Sequence, residues 1–80
     1  MKTTRELIAE ELRGIRAKQK YNRDQISIAT GISADTISRY ENNEVSMNIE
    51  TLDKLLNFYG IDFDIFFINI YANKQNNNNK

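Results

Sequence analysis

Apolar residues recur along the chain at three- and four-residue spacings, separated by short segments rich in Gly, Asn and Ser. That is the period of helices burying one face, not the alternation of strands. Five helices are predicted. The first runs from about Thr4 to Gln19, capped by Thr3 or Thr4, with Leu7, Ile8, Leu12 and Ile15 on its apolar stripe. Gly14 lies inside it, where glycine costs about 1 kcal/mol relative to alanine. Asn22 caps a short second helix, Arg23 to Thr30, and Gly31 ends it with the left-handed backbone a tight turn needs. Ser33 caps a third, Ala34 to about Asn42, with Asn43 as its left-handed terminator. Asn48 caps the fourth, Ile49 to Tyr59, which carries Ile49, Leu52, Leu55 and Leu56 on one face and stops at Gly60. Asp62 opens the fifth, Phe63 to about Ala72. Residues 73–80 are Asn, Lys and Gln only, a composition expected to stay disordered because it has no apolar surface to bury. The expected organisation is one all-α domain over residues 1–72 and an Asn-rich tail over 73–80.

Composition narrows the chemistry. Eighty residues suffice for one small domain. The chain has no Cys and no His, which removes disulfides, thiolate nucleophiles, His-based triads and His-ligated zinc. Glu10/Glu11 and Asp62/Asp64 are neighbouring carboxylates, but nothing implies a cleft around them, and surface carboxylates are the expectation. No catalytic residue, metal or cofactor is assigned. The start, Met1 to Glu6, is charged and polar, and the longest apolar stretch, Ile65 to Ile68, is far too short to span a membrane. A cytoplasmic protein without a membrane partner is therefore expected.

Charge changes the picture twice. The chain holds 11 Lys+Arg and 11 Asp+Glu, a net of zero, which counts against a generic nucleic-acid binder. Yet residues 1–40 hold 8 Lys+Arg and 5 Asp+Glu, while residues 41–80 hold 3 and 6. The zero is a +3 half cancelled by a −3 half.

The second and third helices are joined by a three-residue turn, Gly31-Ile32-Ser33. So short a turn makes the helices cross steeply, lets Ile26, Ile32 and Ile37 meet in one small core, and leaves the first turn of the third helix exposed. Such a helix can enter the major groove of B-DNA, its free N–H groups favouring phosphate. The stretch Asn22 to Glu41, with Gly31-Ile32-Ser33 and then Thr36-Ile37-Ser38-Arg39-Tyr40-Glu41, resembles the helix-turn-helix of the Cro/phage-repressor (XRE) family. Leu12-Arg13-Gly14-Ile15-Arg16, Ile49-Glu50-Thr51-Leu52 with Leu55, and Tyr59 to Asp64 extend the likeness to about residues 5–68. The resemblance implies a five-helix lambda-repressor-like DNA-binding domain with its helix-turn-helix in helices two and three.

It also implies roles for residues. Base reading falls on Ala34, Asp35, Ser38 and Arg39, with Thr36 near the backbone. Arg39 can grip guanine or phosphate, Ser38 either, and Ala34 a thymine methyl. Asp35 has two readings: an acceptor for cytosine N4, or a first-turn carboxylate stabilising its own helix by about 0.3–1 kcal/mol. Arg23 stands where the family usually has Gln and could clamp a phosphate. Asn22, Ser33, Asn42 and Asn43 complete the candidate DNA surface. Arg16 and Glu41 match a buried ion pair typical of the family, a structural role.

The sequence also departs from the family's pattern. Glu44 would oppose phosphate, Met47 replaces a frequent Pro, and Ile28 is an apolar residue where a solvent-facing polar one is expected. The fifth helix is apolar nearly all round. Phe63, Phe66, Phe67 and Ile70 are assigned to the core, which leaves Ile65, Ile68 and Tyr71, with Ile28, as candidate protein-interface residues. A second copy is the simplest partner. The expected function is a dimeric, sequence-specific DNA-binding transcription regulator of the phage repressor/Cro type acting on a double-stranded operator. The alternative is a protein-interaction module on the same fold, an antirepressor, modulator or antitoxin, whose partner is another repressor or a toxin.

Overall fold

A computed structural model of the chain describes the backbone of residues 2–78 and the side chains of residues 2–72. Five helices follow in order: α1 (Thr4–Gln19), α2 (Arg23–Thr30), α3 (Ala34–Glu41), α4 (Ile49–Tyr59) and α5 (Phe63–Asn78). No strand occurs among the described residues, and the fold is all-α as expected.

Local chemistry sets the helix starts. Thr3, Asn22, Ser33 and Asn48 each accept a hydrogen bond from the backbone N–H three residues on, at Glu6, Gln25, Thr36 and Thr51. At Thr3 and Asn22 the third residue bonds back to the cap, so two orphan donors are satisfied reciprocally. The Glu6 carboxyl is held below its ordinary range, first by the backbone N–H of Thr3 and then by its hydroxyl. The ends use left-handed residues: Gly31 at φ 81°, Asn43 at φ 58° and Gly60 at φ 74°. Lys20 also takes φ 64°, an end that composition does not mark.

The core is one cluster. Leu7 and Leu12 of α1, Ile26 of α2, Ile37 of α3, Leu52, Leu55, Leu56 and Tyr59 of α4, and Phe66 and Ile70 of α5 are all buried. The short turn brings Ile26 and Ile37 together, with Ile32 packed partly buried against them. The helix α2 packs on α3 and α4, and α1 packs on α3 and α5. Between α4 and α5 the chain bends by 96°. No single helix among the described residues is long and apolar enough to cross a membrane.

A Cβ at Gly14 would meet nothing within 4 Å. Two expectations change. Ile49, placed by spacing on the apolar face of α4, is 66% exposed in the first turn of that helix, where it lines a groove. The backbone of α5 stays helical to Asn78, beyond the expected end near Ala72, because neither Gly nor Pro interrupts it. The side chains of the expected tail, residues 73–80, lie outside those described.

Candidate nucleic-acid interface

The helix-turn-helix is fixed from behind by an ionic centre. Glu41, the last residue of α3, is only 2% exposed. Arg16 of α1 grips it with both prongs of its fork, Nε donating to Oε2 at 2.8 Å and Nη2 to Oε1 at 2.9 Å. This two-point charge-assisted contact is the strong form of the interaction. It raises the Arg16 guanidinium further above its already high pKa, against the opposing effect of burial. Arg13 Nη1 donates to the Glu41 carbonyl at 2.9 Å, and Arg5 Nη2 to the Asn43 carbonyl at 3.4 Å. The carboxyl end of α3, where the helix dipole is negative, thus collects cations from α1. The Arg16–Glu41 pair matches the expectation; the parts played by Arg13 and Arg5 have no local signal in the sequence.

Arg23 joins the same centre. Its Nη2 donates to Glu41 Oε1 at 3.3 Å, and its Nε is buried without a hydrogen-bond partner among the described residues. Part of the guanidinium expected to clamp phosphate is therefore committed to an internal carboxylate. The side chain remains 37% exposed, so it bridges the ionic centre and the surface.

Several other candidate residues are also engaged. The Asn22 side-chain oxygen accepts from Gln25 N at 2.8 Å. Ser33 Oγ accepts from Thr36 N at 3.1 Å and donates to Thr36 Oγ1 at 2.7 Å. Asn43 Oδ1 is buried without a partner among the described residues. These groups build the turn and the two helix ends. Ala34, Asp35, Ser38, Arg39 and Asn42 come together on α3 and its end, with Asp35, Arg39 and Asn42 exposed and Ala34 and Ser38 half-buried. Asn42 Nδ2 donates to Ser38 Oγ at 3.4 Å, and Arg39 Nε to Asp35 Oδ2 at 3.0 Å. The spacing of positions 35 and 39 carries the signal for this last pair, since residues four apart share a helix face. Glu44 is exposed beyond the end of α3, its N–H bonded to the Arg39 carbonyl at 2.8 Å.

Elsewhere, a groove of about 310 Å³ is lined by Ile8, Tyr40, Val45, Met47, Ile49 and Phe67, among others, and includes none of Glu10, Glu11, Asp62 and Asp64. It gathers no Asp or Glu. The apolar side chains expected outside the core are exposed: Ile28 at 87%, Ile65 at 49%, Ile68 at 60% and Tyr71 at 63%.

A short capped helix, a left-handed glycine turn and a second capped helix over a shared isoleucine core define a helix-turn-helix protein. The chain matches the helix-turn-helix family over residues 12–66, more than half its length, and belongs to that family. It is similar to the cryptic phage CTXphi transcriptional repressor RstR of Vibrio cholerae, with 27% identity over 55 residues. The match covers 69% of this chain and 50% of that repressor, so the chain spans about half the length of its relative. No solved structure matches it.

Proposed function

We propose that the protein is a sequence-specific DNA-binding transcription regulator that presents α3 to the major groove of its operator. The observation that carries this reading is the exposed face of α3. Asp35 and Arg39 are 75% and 54% exposed there, on a helix whose far side is held by Ile37 and Glu41. Likeness to a phage transcriptional repressor supports the same reading. Ala34, Asp35, Ser38 and Arg39 face bases. Asn22, Arg23, Ser33, Thr36, Asn42 and Asn43 lie along the phosphates, where the N–H groups at the start of α2 and α3 add fixed partial charge. Nothing in this reading requires a metal, a cofactor or a catalytic step.

The exposed Ile65, Ile68 and Tyr71 support a dimer through α5, because an apolar helix face in so small a domain finds cover in a second copy. Two copies would then read two half-sites one helical turn apart. Ile68→Glu is expected to yield monomers by sedimentation, and a wild type already monomeric at high concentration defeats this part of the reading.

Selection of bound duplexes from a random pool tests the whole. A palindromic motif, bound less tightly as salt rises, is the expected result. The exposed Ile28 favours the second reading, a module that binds another regulator or a toxin. No enrichment, with binding insensitive to salt, selects that one.

A further inference from the structure

Resting on the DNA-binding reading, the geometry points to Asp35 as a positioning residue: its carboxylate holds Arg39 by Nε, so that the terminal fork of the guanidinium reads a guanine. The bond is 3.0 Å long and spans one helical turn on the exposed face of α3. As a stabilising device so exposed a pair achieves little, because water screens it. As a way of aiming a side chain it achieves more. Arg carries five N–H donors in one rigid plane. A bond at Nε favours one orientation of that plane, and leaves the two terminal nitrogens unengaged among the described residues.

A fork of two donors is selective. In the major groove, guanine presents two adjacent acceptors, O6 and N7. Adenine sets a donor beside its acceptor, cytosine offers a donor, and thymine sets a methyl beside its single acceptor. Among the bases, only guanine satisfies both prongs. Phosphate would do so as well, but Asp35 opposes it: its charge repels the backbone and cancels that of Arg39. The pair is electrically neutral, so its use is discrimination rather than attraction. Arg23 differs here, since its partner Glu41 is buried and its own Nε is enclosed.

The test compares wild type, Asp35→Ala and Arg39→Lys on the selected operator, on operators with each guanine replaced in turn, and on an unrelated duplex, at two salt concentrations. In wild type, replacing one particular guanine is expected to weaken binding roughly 5- to 150-fold, the range of a good bidentate contact. In Asp35→Ala, which removes the acceptor as well as the charge, that factor shrinks to a few-fold, while the unrelated duplex binds more tightly and with a steeper salt dependence. In Arg39→Lys the discrimination is also lost, because an ammonium has no fork, but the salt dependence stays near wild type. Unchanged discrimination in Asp35→Ala overturns the positioning role. Equal weakening of all sequences by Arg39→Lys makes Arg39 a phosphate contact and overturns the guanine assignment. A pool that enriches nothing, with a flat salt response, overturns the DNA reading itself, an outcome distinct from the other two.

Discussion

The helix α3 carries two carboxylates, each bonded to arginine at nearly the same distance, and they differ in almost everything else. Glu41 meets Arg16 at 2.8 Å with the two side chains 2% and 18% exposed. Asp35 meets Arg39 at 3.0 Å with the two 75% and 54% exposed. In the first pair the charges are largely cut off from water, so loss of either partner leaves a poorly compensated charge in low dielectric. In the second, water can replace either partner at little cost. The buried pair therefore fixes the crossing of α1 and α3, and the exposed pair leaves its groups available to something arriving from outside. Burial, rather than the kind of contact, separates framework from reading surface within two turns of one helix.

The largest expected effect comes from breaking the buried pair on one side. Arg16→Met leaves Glu41 enclosed with Arg23 at 3.3 Å as its remaining side-chain partner. Removal of one partner from such a pair is expected to cost about 3–5 kcal/mol of unfolding free energy, read by urea titration at pH 7. A loss under about 1 kcal/mol would show that Arg23 alone can hold Glu41 and that the contrast with Asp35 is overdrawn. Replacing Arg16 and Glu41 together by Met and Leu is expected to cost less than Arg16→Met, since no charge is stranded and Arg23 can turn to solvent.

Next in size is a pH effect at Tyr59, which borders the same centre. Burial, then the charge of Glu41, pushes its phenol up to about 12 from an ordinary 10.0. The folded state thus holds this proton more tightly than the unfolded chain does. The stability it contributes is complete below pH 10 and is lost as pH rises from 10 to 12. At about 1.4 kcal/mol per pKa unit the loss is of order 2–3 kcal/mol. The quantity to measure is the difference between wild type and Tyr59→Phe. The variant is expected to show a flatter alkaline limb. Equal slopes would mean that water reaches Tyr59 and that the centre is less enclosed than its burial implies.

What the sequence disclosed follows the same division between near and far. The caps Asn22, Ser33 and Asn48 are readable because each acts on a backbone group three residues away. The face of α5 that buries Phe66 and Ile70, with Ile65, Ile68 and Tyr71 outside, is readable because helical spacing alone sorts it. Arg16 and Glu41 were legible through family resemblance, not through spacing. Arg13, Arg23 and Arg5 reach their acceptors across 18 to 38 residues, and nothing near them in the chain announces it. Ile49 shows the opposite failure: helical spacing put it on the apolar face, but only the packing of other helices decides how far along α4 that face is covered. Asp35 and Arg39 fall between these cases. Their four-residue spacing is visible in the sequence, but the choice of partner depends on both side chains being free of the core.

The smallest expected effect on stability is the sharpest test of the comparison. Arg39→Ala removes the exposed pair, and such pairs contribute about 0.3–0.5 kcal/mol on a helix surface. Asp35→Ala removes the pair and also a carboxylate in the first turn of α3, which favours the helix dipole by about 0.3–1 kcal/mol. Unfolding measurements on both single variants and the double variant isolate the interaction, which is expected to be a few tenths of a kcal/mol and to shrink at 1 M salt. The same three variants measured on operator DNA should behave differently, with Arg39→Ala costing about 1–3 kcal/mol of specific binding. On DNA the coupling between positions 35 and 39 is expected to exceed the coupling in unfolding, because the loss of either member leaves the fork unaimed or absent. Equal and small couplings in both measurements would reduce Asp35 to a helix-starting carboxylate, and α3 would then hold one pair with a purpose, the buried one.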